Sequence, residues 1–406
     1  RLRLVGAPRP LYTCAVKIAI DTRRIGDFGV GTYIRNVVRT LSRIDRRNEY
    51  LLVGPAESLR DIGELPPNFL NAPYSLPDSS FRNYFEFQRI LRKFRCDVLH
   101  MPHLFSSPQF IPCRYLVTVH DLLDHLYPPQ DEPAMRRGLR FYFTRRVLRR
   151  AERIFAVSKS TRNDITRLFD VPAGRIEVIY NAIDERFRQG HATDADRQFI
   201  AERYQVNYPF LLYAGNIKPH KNLLRIIEAF SALKSVLAKE GRFTDLKLII
   251  IGDELSKHPD LRRTVVRSGV TNEVRFLGFV PIDALRIFYD TAKIFVFPSL
   301  YEGFGLPPLE AMAHGTPVVT SNASSLPEVV GSAAVLVNPE NVFDIMRALH
   351  RVLLDQPLRE RLKRAGYEQS LRFSWEPSVQ RILQVYQEVA RRGHAVASEP
   401  LAKSSA

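Results

Sequence analysis

The sequence predicts an α/β protein of two doubly wound, Rossmann-like domains facing a central cleft. Three observations carry this. Strand-sized apolar runs alternate with helical patterns nearly throughout, as in parallel sheets covered on both faces. The series restarts after a polar stretch around Gly190. The length, 406 residues, suits two ordinary cores better than one.

The first series opens with a strand at Val16–Asp21. Gly29-Val-Gly31 follows, then a helix with Ile34, Val37, Val38 and Leu41 on one face. Cys96–His100, Tyr115–His120 and Arg153–Val157 read as buried strands, and Ser158 is placed to cap the helix behind the last of them. Glu177–Tyr180 is a further strand. The second series has strands at Phe210–Ala214, Leu246–Ile251, Val274–Leu277, Ile294–Pro298, Pro317–Thr320 and Ala334–Val337, with helical patterns such as Leu223–Lys239 and Asp283–Tyr289 between them. Helices at Asn341–Leu354 and Leu358–Leu371 complete it. The expected boundaries are an N-terminal domain over 1–184, a hinge over 185–200 and a C-terminal domain over 201–374. A closing helix over 375–392 is expected to pack back on the N-terminal domain, and a disordered tail fills 393–406.

Composition narrows the class. Hydrophobic residues at 45% and charged residues at 25% fit a soluble globular chain. No apolar run approaches the roughly 20 residues that span a bilayer, and no secretory signal is read at the N-terminus. The three cysteines Cys14, Cys96 and Cys113 have neither zinc spacing nor an even count, which points to a reducing compartment. A cytoplasmic location is the expectation. The net charge of +16 favours anionic partners without choosing among nucleotides, nucleic acid and an acidic membrane surface.

The most informative segment is Ser299-Leu-Tyr-Glu302-Gly303-Phe304-Gly305-Leu306-Pro-Pro-Leu-Glu310. It follows a strand and runs into a short helix whose first turn accommodates Pro307 and Pro308, and which Gly315 ends. Gly303 to Leu306 therefore present backbone amides at a helix N-terminus, a seat for phosphate. Glu302 lies in the loop and Glu310 in the first helical turn. A carboxylate accepts two hydroxyl bonds at once, so each suits a vicinal diol. The bland alternative is that both acids only complement the helix dipole.

On these residues the chain resembles the retaining GT-B glycosyltransferases of family 4, whose E-x7-E motif is met by Glu302 and Glu310; the likeness runs from about Val16 to Val389. The resemblance implies that Glu302 contacts the transferred sugar and Glu310 the ribose, with the amides of Gly303, Phe304, Gly305 and Leu306 near the donor phosphates and sugar. It assigns the acceptor to the N-terminal domain and the nucleotide-sugar to the C-terminal one.

Further segments match the same pattern. In Ala214-Gly-Asn216-Ile-Lys218-Pro-His220-Lys221 the family places an arginine and a lysine on the donor diphosphate. Lys221 keeps the lysine. Asn216 stands at the arginine position and donates a hydrogen bond without charge, leaving Lys218 or His220 to supply part of it. The bland alternative is a solvated basic turn. Gly29 and Gly31 are similar to the glycine loop that presses the first domain against the donor phosphates, and with Asn36 they look like a subgroup rich in mannosyltransferases; which glycine makes the contact stays open. His120, in Val119-His120-Asp121, sits where the family has a histidine on the donor sugar, although a lone histidine is more often structural. His100 and His103 are candidates for the acceptor side. In Leu277-Gly-Phe-Val280-Pro281 the family grips the nucleobase through backbone, which nominates Val280.

The resemblance implies a retaining transfer of a hexose, mannose first, from GDP-mannose or alternatively a UDP-sugar. The acceptor is a saccharide or lipid-linked glycan of a surface polysaccharide. The alternatives are a nucleotide-sugar epimerase or phosphorylase on this fold, or a non-catalytic module binding anionic surfaces. No essential metal is expected: Asp194-Ala-Asp196 has the DxD spacing but lies in the polar hinge and reads as solvated linker. The arginine run Arg136–Arg150 has Leu139, Tyr142, Phe143 and Val147 at helical spacing. It reads first as a helix docked on the first sheet with a solvated basic face, and second as a contact for an anionic leaflet on the inner face of the plasma membrane. Nucleic acid is not an expected partner, since no nucleic-acid-binding fold signature accompanies the run.

Overall fold

The computed structural model describes residues 15–27, 29–76, 80, 82–104, 111–129, 131–188 and 190–397. Cys14 and part of the 393–406 segment lie outside them. In chain order the elements are β1 Lys17–Asp21, α1 Val30–Ile44, β2 Glu49–Gly54, β3 Phe69–Pro73, α2 Asn83–Phe94, β4 Val98–Met101, β5 Arg114–Val119, α3 Leu123–Leu126, α4 Ala134–Arg150, β6 Arg153–Ala156, α5 Lys159–Phe169 and β7 Ile176–Val178. Then come α6 Asp194–Tyr204, β8 Phe210–Ala214, α7 Leu223–Glu240, β9 Lys247–Ile251, α8 Pro259–Arg267, β10 Val274–Gly278, α9 Ile282–Thr291, β11 Ile294–Phe297, α10 Leu306–Ala313, β12 Val318–Ser321, α11 Leu326–Val330, β13 Val335–Val337, α12 Val342–Leu354, α13 Gln356–Leu371 and α14 Trp375–Ala397.

Two parallel sheets form, in the orders β3-β2-β1-β4-β5-β6-β7 and β10-β9-β8-β11-β12-β13. Both reverse direction beside their first strand, the doubly wound arrangement that leaves a crevice where the order switches. The two sheets make two doubly wound, Rossmann-like α/β domains. By contacts the described residues divide into two units. One holds those up to Thr118, Tyr142–Phe155 and those from Val379; the other holds Val119–Phe141 and Ala156–Ser378.

In the first unit β1 pairs with β2 and β4, Ala19 opposite Leu51 and Leu99. The helical reading of the segment after Gly31 is correct: Ile34, Val37, Val38 and Leu41 are all buried along α1. β2, β3 and α2 have no counterpart in the sequence reading. β2 carries a clear signal, since Tyr50–Val53 is a buried apolar run, whereas β3 is interrupted by Asn71 and Pro73, residues that disfavour strands.

A buried hydrogen-bond chain crosses this unit. Tyr33 and His100 both meet the Thr118 hydroxyl, at 3.0 and 2.8 Å, and His100 Nδ1 meets the Tyr386 hydroxyl at 2.6 Å. His100 is fully buried and His103 nearly so. The expectation that they line an acceptor surface is therefore corrected for His100: it joins β4 to β5 and α14, satisfying polar groups that would be costly to bury alone.

Two other readings change. The stretch around Asp194-Ala-Asp196 is no linker but the start of α6, where Thr193 and Asp196 form a reciprocal capping box. The helix expected to stop at residue 392 continues to Ala397. Ser158 caps α5 as expected, accepting from the Thr161 amide at 3.0 Å. α4 forms, but Leu139, Tyr142 and Phe143 are exposed and Val147 half-buried; Thr144 and Leu148 are its buried residues. Among the described residues no helix is long and apolar enough to cross a membrane.

Candidate active site

In the second unit the strand order switches between β8 and β11, whose pairing sets Ile294 opposite Leu211. Beyond their carboxyl ends lie the two loops that the sequence singles out. Three bonds join them. The Leu300 amide donates to the His220 carbonyl at 2.8 Å, the Asn222 side-chain amide donates to the Pro298 carbonyl at 2.9 Å, and Lys221 Nζ donates to Glu302 Oε1 at 2.6 Å. Asn222 is buried with φ 65°, and its amide also reaches the Pro339 carbonyl at 2.7 Å. Losing such a buried donor strands both carbonyls, at about 1–3 kcal/mol each.

The Glu302–Gly305 turn is held from below by two serines. The Glu302 amide donates to Ser324 Oγ at 2.8 Å, and the Ser325 hydroxyl lies 2.9 Å from the Glu302 carbonyl and 2.7 Å from that of Phe304. Gly305 takes φ 105°, which favours glycine, and no side chain caps α10 behind it. Pro307 and Pro308 have no N–H, so the Leu306 amide is the donor at the head of α10, uncapped by a side chain and with the positive end of the helix dipole behind it. A carbonyl covers the other side of the turn: a Cβ on Gly303 would overlap the His120 carbonyl oxygen. The Gly303 carbonyl accepts from the Thr161 hydroxyl at 3.2 Å. His120 and the turn therefore come together through backbone.

Charge is distributed unevenly here. Lys221 and Glu302 are paired and largely buried, with Lys221 Nζ 5.1 Å from the centre of the Phe297 ring. Such a pair is costly to break by removing one member. Burial pulls the His220 imidazole down to about 4, with Lys221 and Lys218 acting in the same direction and Asp121 against them, so His220 is neutral at pH 7. Glu310 is the fifth residue of α10, just past the first turn in which the sequence reading placed it. Burial pushes its carboxyl up to about 7, opposed by the Tyr289 hydroxyl that donates to Oε2 at 2.9 Å.

The remaining nominated residues are distributed over both units. Asn216 is half-buried, its carbonyl accepting from the Tyr213 hydroxyl at 2.9 Å. The Gly215 amide donates to the Ile251 carbonyl and the Gly252 amide to that of Gly278, both at 3.0 Å, so the β10 end lies on the same sheet edge as the β8 loop. There Val280 is buried while Phe279 is 75% exposed. Gly29 and Gly31 belong to the first unit. Gly29 has φ 60° and open space where a Cβ would be, while a Cβ on Gly31 would overlap the Ile25 carbonyl. Gly31 is a packing glycine and Gly29 an open one. Sequence reasoning missed Ser324, Ser325, Thr161 and Glu328. The Glu328 carboxylate accepts from the Lys159 amide at 3.0 Å and the Tyr180 hydroxyl at 2.6 Å. The only local signal was the small-polar run before Pro327.

Comparison with known proteins fits this geometry. The family described as "Glycosyl transferases group 1" matches residues 194–369, and that described as "Glycosyltransferase Family 4" matches 29–187. The serotype-specific mannosyltransferase WbdA of Escherichia coli is 32% identical over 273 residues, covering 65% of this chain and 32% of WbdA, so the chain spans about a third of that relative's length. The O-antigen chain mannosyltransferase B of Escherichia coli is 33% identical over 301 residues, 73% of this chain and 75% of the relative. Among solved structures, Anabaena HepE in complex with UDP-glucose superposes with TM-score 0.73 at 16% identity, covering 92% of this chain and 99% of that one. The sucrose-phosphate synthase of Thermosynechococcus elongatus gives TM-score 0.73 at 20% identity with the same coverage.

Proposed function

The chain belongs to the family 4, group 1 glycosyltransferases, and from that premise we propose that it is a retaining mannosyltransferase of surface-polysaccharide synthesis. The donor is GDP-mannose, with a UDP-sugar as the second reading because HepE was solved with UDP-glucose. The acceptor is a saccharide or lipid-linked glycan, and the reaction takes place in the cytoplasm. The observation that carries the reading is the meeting of Lys221 and Glu302 at 2.6 Å beside an uncapped, glycine-lined helix N-terminus.

In this reading Lys221, Asn216 and the amides of Gly303, Phe304, Gly305 and Leu306 receive the diphosphate. Of the two first-unit glycines, Gly29, open and at positive φ, is the one suited to a phosphate contact. Glu310 binds the ribose diol, the backbone at Val280 the base edge, and Glu302 and His120 the transferred sugar. Donor entry exchanges the Lys221–Glu302 pair for Lys221–phosphate and Glu302–hydroxyl contacts. The acceptor oxygen then bonds to the anomeric carbon on the face the leaving phosphate departs from. The bond from that carbon to the phosphate oxygen breaks with its electrons on the phosphate, which takes the acceptor proton. Stereochemistry is kept without a protein nucleophile. Lys221 and the helix N-terminus stabilise the departing charge in place of a resident metal.

Transfer from GDP-mannose to an oligomannoside, with NMR of the new linkage, tests this. An α product is expected from the α donor. A β product removes the retaining assignment, and donor isomerisation without acceptor favours an epimerase.

A further inference from the structure

α4 turns an apolar face to solvent. At about 100° per residue, Met135, Leu139, Tyr142 and Phe143 fall within one arc about 100° wide. They are 78, 50, 57 and 42% exposed. The buried residues of the helix, Thr144 and Leu148, lie on the opposite side, so the stripe is not the side that packs into the core. The Tyr142 and Phe143 rings meet edge to face at 5.5 Å, forming one two-ring wedge. Exposed Arg136 and Arg149 flank the stripe, and exposed Arg150 and half-buried Arg146 lie within it.

The occupant of such a face must accept both apolar side chains and positive charge. A second copy of this helix would set arginines against arginines, a costly juxtaposition. A nucleic acid offers no place for Met135 and Leu139. An anionic lipid surface offers both: an acyl boundary for the stripe and phosphates for the guanidiniums. We propose that this face of α4 docks on an anionic membrane surface, with Met135, Leu139, Tyr142 and Phe143 entering the headgroup boundary and Arg136, Arg149 and Arg150 engaging lipid phosphates. The net charge of +16 draws the whole molecule the same way. The proposal does not depend on the donor reading.

The test is co-sedimentation of the full chain with phosphatidylcholine vesicles, with and without phosphatidylglycerol. Binding is expected only with phosphatidylglycerol, and it weakens as salt rises. Combined Leu139→Ser, Tyr142→Ser and Phe143→Ser substitution is expected to lower partitioning about tenfold or more. Each Arg→Gln change at 136, 149 or 150 is expected to lower it roughly fivefold. Indifference of the wild type to phosphatidylglycerol overturns the proposal, as does a serine variant that binds like the wild type. A dimer or an oligonucleotide complex abolished by those serines also overturns it. Should the triple variant fail to fold, Phe143→Trp provides the readout: a blue shift on phosphatidylglycerol vesicles is expected, and unshifted emission overturns the proposal. Nucleotide-sugar binding by the same variants is measured separately, so failure here leaves the donor site untouched.

Discussion

Lys221 Nζ and Glu302 Oε1 lie 2.6 Å apart, 81 residues separated in sequence, and each neutralises the other. Removing one member leaves a largely buried charge alone. Lys221→Ala and Glu302→Gln are each expected to lower unfolding free energy by about 3 kcal/mol and kcat by a factor of about 10²–10³. The double variant should lose less stability than the sum, because the second change removes a charge already unpaired. Urea melts and transfer assays check both. Wild-type transfer by either single variant would remove the site assignment.

Gly303 is where two backbones meet. A methyl group there would overlap the His120 carbonyl, so Gly303→Ala must displace either the turn that carries Glu302 or the strand end that carries His120. A shift of that kind is expected to lower kcat/KM about 100-fold. Gly26→Ala is the control, since nothing lies within 4 Å of its Cβ position. Equal kinetics for the two variants would mean that the His120 contact has no part in transfer.

Glu310 should impose a pH dependence on donor affinity. Its folded value is about 7, raised by burial from an ordinary 4.5. Ribose hydroxyls donate to the ionised carboxylate, so the donor dissociation constant is expected to rise as pH falls below 7. Tyr289→Phe removes a hydroxyl that favours ionisation and should move the midpoint to higher pH. Glu310→Gln should flatten the profile. The same shift acts on stability with the opposite sense. Between pH 4.5 and 7 the folded state keeps a proton that the unfolded state has released, so this group's contribution is full below 4.5 and lost as pH rises through 7. Calorimetric titration of donor across that range, and a melt series without it, check the two signs.

What the sequence disclosed and what it hid divide along chain distance. Glu302, Gly305, the two prolines and Glu310 lie in one short segment, and turn and helix-start chemistry is local, so the turn and the helix behind it were legible. Glu310 was set slightly early because helix starts are poorly fixed when Pro307 and Pro308 tolerate several positions. Ser324, Ser325 and Thr161 hold the same turn from distant segments, and single serines and threonines carry no periodic signal. His100 misled because its place at a strand end resembles that of His120, whereas its burial depends on Tyr33, Thr118 and Tyr386. The α4 reading assumed that apolar residues at helical spacing face the core, yet there they mark the opposite side. Parallel sheets were implied by alternation, but the strand order, with its switch point between β8 and β11, required strand pairing to see.

Asn216 offers a gain-of-function test of the diphosphate seat. It holds the position where the sequence resemblance implies a second cation, and its loop already contains Lys221 and a His220 kept neutral at pH 7 by burial and by its lysine neighbours. Asn216→Arg adds a planar donor fork suited to phosphate oxygens. It is expected to tighten GDP binding about tenfold, equivalent to roughly 1.4 kcal/mol, and to raise the melting temperature measured with saturating nucleotide above that of the wild type. The gain should shrink with added salt, because the new contact is ionic. Unchanged affinity at low salt would place the diphosphate away from residue 216, whereas a gain for nucleotides but not for inorganic phosphate would fix its orientation along the β8 loop.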